Sequence, residues 1–481
     1  MPPRPSPAPA VGWLFAYDWD RLALDALQGD GRARFDHAGF DLFSFPSNAR
    51  LIGFDLERFA DAQAARGRRL GWRAVLSHHE QFGALAAALV AERLGLPGAT
   101  PESICAAQHK LQARRVLQQV APEANLGFAD LEAHYGGDIP HGLDYPTYVK
   151  PVKAAFSVLA RRVASHAELV AHTRFGWREL WVIRRLVEPF ERVCRARLPW
   201  AGTAHRLLLE EPVSPHVAQY NLDGYVQEGH VHALGVVDAV MYPGTQAFMR
   251  WEHPSRLDTA VQARALDVAR RFLAAIGYRH GCFNLEFFHD ARTDRLTVIE
   301  CNPRLASQFS DLYRRVQGRD AHAVALALAL GKDASAVPRC EPTAGAAASL
   351  VYRTFEGETA PPPPTPQRRG AFASAFADGL LFSQPKRGHG LERDFKWTGS
   401  HRYGIVHLGG SDRADLQQRA ERASALLGWP APYAGHAAEH GAEELAAEHA
   451  AATTREALAG SAAANSGMWP AVQLRPAGTS D

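Results

Sequence analysis

The sequence predicts an α/β fold whose central part is α+β, and three observations carry that prediction. Between residues 11 and 105 short apolar strands alternate with helices, the pattern of a small parallel layer. Beyond about 106 the strands come in hairpin-like pairs around a long helix. After a proline-rich stretch one more strand follows, before the large apolar residues run out.

Each element has its own signal. "MPPRPSPAPA" (1–10) is polar and proline-rich and reads as a disordered leader. "VGWLFAY" and "RAVLS" (73–77) read as strands, and "QFGALAAALVAERLGLPG" as a helix closed by Gly95 and Pro97. A basic helix, "QHKLQARRVLQQV", opens the next region. There "YPTYVKP" ends a strand at Lys150 and Pro151, and "RLLLEEP" (206–212) is another. "YVQEGHVHALGVVDAVMYP" forms a hairpin turning at Glu228 and Gly229. Leu257, Val261, Ala265, Val268, Phe272 and Ile276 recur at helical spacing, and Gly277 caps that helix. "CFNLEFF" and "LTVIECN" are strands, and "AHAVALALAL" (321–330) is a packed helix. "PPPPTP", between Gly357 and Gly370, is a stiff linker or edge, and "HRYGIVHLGG" (401–410) is a strand. The Ala/Glu/His-rich tail, 436–481, has too few large apolar residues for a core and is expected to be disordered.

Composition narrows the function. A chain of 481 residues suggests roughly two to four domains. With 53 Lys+Arg against 51 Asp+Glu the net charge is +2, which leaves no electrostatic footprint for nucleic acid or an anionic membrane. Five scattered cysteines without a CxxC pair argue against a disulfide framework or structural zinc and fit a reducing compartment. No signal peptide is read at the N-terminus, and no run approaches the roughly 18 apolar residues of a membrane span. A cytoplasmic protein acting on small molecules is expected; a homodimer is allowed.

The chemistry concentrates in "VIECNPR" (298–304), an apolar strand that ends in an acid, an amide and a guanidinium. Buried charges without partners cost several kcal/mol, so something must meet them. If the strands 282–288 and 296–302 form a hairpin centred near Thr293, Glu286 falls opposite Glu300. Alternation then puts Asn284, Glu286, Glu300 and Asn302 on one face, and Phe283, Leu285, Phe287 and Ile299 on the other. Two carboxylates facing each other repel unless a cation lies between them. An all-oxygen set of this kind suits Mg2+, and Mn2+ is an acceptable substitute. Arg304 offers a planar fork for a phosphate oxygen beside it. No GxxxxGK[ST] or GxGxxG is present, so any nucleotide phosphates must be held by discrete cations. Lys110 and Lys150 are the candidates; a carboxylate from Glu210 or Glu211, closing "RLLLE", could accept from a ribose hydroxyl or exocyclic amine.

Taken in order, "HKLQARRVLQQV", "YPTYVKPVKAAFSV", "LLLEEP", "QYNLDGYVQEGHVHALGVVDAVMYP", "GCFNLEFF" and "VIECNPR" resemble the ATP-grasp superfamily, in particular its carboxylate–amine ligases and, more distantly, biotin carboxylase. The resemblance implies a Rossmann-like pre-ATP-grasp domain over 11–105, an ATP-grasp domain over 106–335 and a small C-terminal lobe over 336–435. It implies ATP with Mg2+. Lys110 and Lys150 match the nucleotide lysines, and Glu210 and Glu211 fall in the adenine and ribose hinge. Asn284 is counted with the nucleotide-binding residues, Glu286, Glu300 and Asn302 with the metal ligands, and Arg304 with the reacting phosphate. The loop after Lys150 lacks the usual glycines, so Lys153 and Ser157 are expected to do its work through side chains. Gln219 stands where a glutamate is expected, and Cys301 replaces an Ile or Asn with its side chain toward the core. The implied activity is ADP-forming ligation of a small carboxylate, through an acyl phosphate, to an amine. Two alternatives remain: a bicarbonate-activating carboxylase and an inactive ATP-binding regulator.

Two further groups draw notice. His230 and His232 share a strand face but lack a third ligand for zinc. Ser77, His78, His79 and Glu80 sit at the carboxyl end of a strand, where α/β layers bind ligands, although Ser77 also suits a helix cap.

Overall fold

The computed structural model describes residues 7–42, 47–154, 158–214, 217–386 and 388–430. Ser157, most of the leader and the tail from 436 lie outside the described residues. Strands β1 (Ala10–Leu14), β2 (Arg34–Ala38) and β3 (Trp72–Leu76) form a parallel sheet in the order β2-β1-β3. Helices Asp18–Gly29 and Leu56–Leu70 connect them, and Gly83–Leu94 follows β3, as the alternation predicts. Gly12 is required in β1, because a Cβ there would lie 2.4 Å from the Trp72 ring.

A second sheet is antiparallel, in the order β4-β7-β5-β6, from β4 (Phe128–His134), β5 (Thr147–Pro151), β6 (Arg161–Val163) and β7 (Arg206–Glu210). Leu131, Val149, Leu207 and Leu209 make its core with Leu169.

The third sheet has eight strands, all antiparallel neighbours: β8 (Ala218–Gln227), β9 (His230–Met241), β10 (Phe248–His253), β11 (Gly281–Asp290), β12 (Arg295–Asn302), β13 (Ala346–Phe355), β14 (Leu380–Ser383) and β15 (Ser400–Gly410). Their order is β12-β11-β8-β9-β10-β13-β15-β14, so the strands after residue 335 extend the sheet that carries the acid hairpin. The β8–β9 turn holds Glu228 and Gly229 at φ 53° and 88°, the left-handed pair of a type I′ hairpin. Helix Thr259–Ala275 starts at the Asp258 cap, and Gly277 at φ 70° follows its end. One core runs from the parallel layer through helices Gly83–Leu94 and Pro101–Gln108 to Leu285, Phe287, Val298 and Cys301 of the large sheet.

Two expectations change. The "PPPPTP" region is only partly a linker: Thr365 caps a helix over Pro366–Ala375, with Pro366 at the first turn, where its missing N–H costs nothing. Ile299 is not on the core face. A register shift after Glu286 pairs Phe287 with Val298, which leaves Ile299 as the extra residue of a bulge, half-buried. Among the described residues no helix is long and apolar enough to cross a membrane.

Candidate active site

The hairpin β11–β12 places Asn284 opposite Asn302 and Glu286 opposite Glu300, the register expected from the sequence. Their side chains form one polar patch. Asn302 Nδ2 donates to Glu286 Oε1 at 3.1 Å and to Asn284 Oδ1 at 3.3 Å, and Gln219 Nε2 donates to Glu286 Oε2 at 3.2 Å. Lys110, at the start of helix Lys110–Val120, ion-pairs with Glu300. The two acids therefore differ. Burial, then the charges of Glu300 and Glu80, hold Glu286 above the ordinary carboxylate range. Burial works the same way on Glu300, but Lys110 and Lys150 outweigh it and hold that carboxyl low.

Arg304, just past β12, donates from Nη2 to Glu80 Oε2 at 2.6 Å. Both side chains are largely buried, so each is the other's main counter-charge. Gln108 joins this pair to a lysine: its Nε2 donates to the Glu80 carbonyl at 2.7 Å, and its Oε1 accepts from Lys153 Nζ at 3.1 Å. Burial pushes Lys153 down to about 8, and its ammonium lies over the Phe190 ring. Lys150 is likewise pushed down to about 8 by burial, despite Glu210 at 2.8 Å.

Glu210 and Glu211 both have protein partners. The Glu210 carboxylate is taken by Arg114 Nε at 2.6 Å and by Lys150, so it positions that lysine from within the core. Glu211 makes surface contacts to Arg295 at 3.3 Å and to the Gly127 N–H at 3.3 Å. Asn284, Glu286, Glu300 and Arg304 line one cavity of about 930 Å³ that reaches across to Tyr17 and His78 at the ends of β1 and β3. Lys153 lines a separate, more apolar cavity of about 580 Å³.

Other groups at this site carry no motif. Asp20 accepts from the Tyr17 N–H at 3.0 Å and meets His78 Nδ1 at 3.1 Å and His322 Nε2 at 3.0 Å; the Asp20, His78 and His322 side chains are all buried. Burial opposes ionisation of Asp20, but the two imidazoles outweigh it and hold its carboxyl low. His79 is pushed down to about 4 by burial and stays neutral at physiological pH. "SHHE" at a strand end was the available signal for His78 and Glu80. Asp20 and His322 are 302 residues apart, and only the fold brings them together.

The residues fit a divalent cation. Two carboxylates and Asn302 supply oxygen donors on one face, and the raised Glu286 is an acid that a cation would ionise. The amide of Asn302 would present its oxygen by a flip of a group whose two ends are nearly isosteric.

No family model matches the chain. Carnosine synthase 1 of Gallus gallus is 29% identical over 288 residues, which are 57% of this chain and 29% of that protein. The chain thus spans less than a third of this curated relative. Solved structures match over most of the chain: an L-amino acid ligase from Bacillus licheniformis gives a TM-score of 0.63 at 15% identity, covering 87% of this chain and 96% of that one. N5-carboxyaminoimidazole ribonucleotide synthetase from Thermus thermophilus gives 0.57 at 18% identity, covering 88% of this chain and 99% of that one. Biotin carboxylase from Campylobacter jejuni gives 0.56 at 14% identity, covering 87% and 91%. With one architecture shared across these ligases over nearly nine-tenths of its length, the chain has the ATP-grasp fold.

Proposed function

We propose that this protein is an ATP- and Mg2+-dependent ligase that activates a small carboxylate and joins it to an amine. The observation that carries the reading is the Glu286–Glu300 pair, set directly opposite on one cavity wall with Lys110 and Arg304 against it. Glu286, Glu300 and Asn302 would hold Mg2+, which when bound draws phosphate oxygens together and neutralises their charge. Lys110 exchanges its Glu300 partner for phosphate. Lys150 is held in place by Glu210, and Arg304 by Glu80, so each arrives oriented. Asn284 borders the nucleotide from the same face. Glu211 at the hinge, and Lys153 with Ser157 in the loop, complete the proposed set.

The reaction balances in two steps. A carboxylate oxygen bonds to the γ-phosphorus while the bond to the ADP oxygen breaks. The amine nitrogen then bonds to the acyl carbon, phosphate leaves with the electron pair, and the ammonium releases its proton. Arg304 and the lysines stabilise charge on the transferred group, and no covalent protein nucleophile is required. The division into 11–105, 106–335 and 336–435 and a cytoplasmic setting belong to the same reading. Phosphate release from Mg-ATP with pools of amino acids, with product masses read alongside, tests it. Release that depends on an amine supports ligation. Release that depends on bicarbonate alone would replace it with carboxylation, and no release with any pool would contradict it.

A further inference from the structure

The large sheet carries a second like-charge pair that the ligation chemistry does not use. Arg353 on β13 and Arg402 on β15 are direct cross-strand partners, immediately past a register shift at Tyr352. Like charges so placed repel. Their hydrogen bonds go to neutral groups: Arg353 Nε to the Phe248 carbonyl at 3.0 Å, Arg353 Nη1 to Ser400 Oγ at 2.9 Å, and Arg402 Nη2 to Gln384 Oε1 at 3.0 Å. The acid with which both interact is Asp394, already held by Lys386 at 3.0 Å and by His401 Nδ1 at 2.9 Å. Burial pushes both guanidiniums below the ordinary arginine value, Arg353 to about 10 with help from the charge of Arg402. Arg402 also feels the charge of Asp18, yet no acid among the described residues hydrogen-bonds to either guanidinium, and two desolvated cations so placed cost stability unless an anion joins them.

Both arginines line the cavity that holds Glu286, Glu300 and Arg304. Tyr17, on the same cavity wall, lies within electrostatic reach of Arg304 and of Arg402. The arginine pair is four strands from the acid hairpin in the sheet order, about 19 Å if the sheet were flat. Lys110 and Arg304 serve a triphosphate at the acid hairpin, so the anion met by the arginines belongs to the other substrate. Planar forks suit a carboxylate.

We propose that Arg353 and Arg402 together bind a spectator carboxylate, one that is not phosphorylated, on an amino-acid-like substrate. The proposal rests on the ligation reading for its substrate and adds the residues that distinguish an amino acid from a simple amine or a monofunctional acid.

The test offers Mg-ATP with pairs of proteinogenic amino acids, reads phosphate release, and then replaces each substrate by its carboxamide. For one substrate the carboxamide should raise KM roughly 10- to 100-fold. R353Q and R402Q should raise KM for the acid by a similar factor, leave KM for ATP unchanged, and no longer separate acid from amide. R402K, which keeps charge without the fork, should fall between. Undiminished preference for the acid in both glutamine variants would overturn the proposal. A titration without turnover separates the two claims: succinate binding to the Mg-ADP-loaded chain, read by the fluorescence of the cavity residues Trp19 and Trp397. Loss of that binding in R353Q and R402Q supports the arginine site even if no amino-acid pair releases phosphate, a result that would retire only the ligation reading. Equal succinate binding in all three proteins would overturn the arginine site whatever turnover shows.

Discussion

The acid pair on β11–β12 and the arginine pair on β13–β15 break the same rule in opposite ways. Each sets like charges directly opposite on adjacent strands and turns them toward one cavity. They differ in what the chain supplies to neutralise them. The acids have Lys110 and the nearby Arg304, so that patch is close to balanced before any ligand arrives. The arginines hydrogen-bond to a carbonyl, a hydroxyl and an amide. A site that hands its cations to incoming phosphates needs them built in. A site that takes its counter-ion from the substrate must keep its charge unpaired. On the proposed reading, that contrast would make the second pair a specificity element and the first a catalytic one.

Four variants would break or sharpen the contrast. The largest effect should come from Arg304, the guanidinium that does have a partner. R304Q strands the buried Glu80 and should cost ~3–5 kcal/mol in urea unfolding. Little change there would mean that Arg304 and the arginine pair are not different in kind. Next, E300A should lower ATP turnover at least ~10²-fold while circular dichroism shows the fold intact; wild-type phosphate release in this variant would remove the acid pair from the chemistry.

Third is Asp223, the register partner of Asn284, one strand in from the acids and within reach of the Arg304 charge. Burial raises it to about 7, against hydrogen bonds from Tyr313 at 2.8 Å and the Ala306 N–H at 3.2 Å. Between about pH 4 and 7 the native chain therefore keeps a proton that the unfolded chain has lost, and stability falls as pH rises through that window. In D223N this part of the fall should vanish, a difference of up to ~4 kcal/mol across the window. Parallel stability–pH curves for the two proteins would refute it. Smallest, R402Q should stabilise the ligand-free chain by up to ~1 kcal/mol, because it removes a repulsion. Destabilisation would show that the arginines satisfy each other's surroundings without a ligand.

What could be read in the sequence follows from how local each signal is. Glu286 and Glu300 lie on strands joined by a short turn, so alternation and a turn centre near Thr293 are enough to pair them. Ile299 was misplaced because a bulge leaves no mark in the pattern of apolar residues. Glu210 closes a strand, which the sequence shows, but its ion pair with Arg114, on a helix read only as basic, depends on how that helix packs against the strand. The Arg304–Glu80 pair spans 224 residues and depends on how the parallel layer docks on the large sheet. Arg353 and Arg402 carry the same signal as "VIECNPR", a charge inside a buried apolar strand. Recognising them as a pair requires knowing that β13 and β15 are neighbours, although helices Pro366–Ala375 and His389–Thr398 and strand β14 lie between them in the chain.

Calorimetric titration of ATP, with and without Mg2+, into the wild-type chain, E286Q/E300Q and R353Q/R402Q tests the central claim most directly. Mg2+-dependent ATP binding is expected in the wild type, at least tenfold weaker binding in the acid double variant, and wild-type binding in the arginine double variant. Unchanged Mg-ATP affinity in E286Q/E300Q, or its loss in R353Q/R402Q, would contradict that claim.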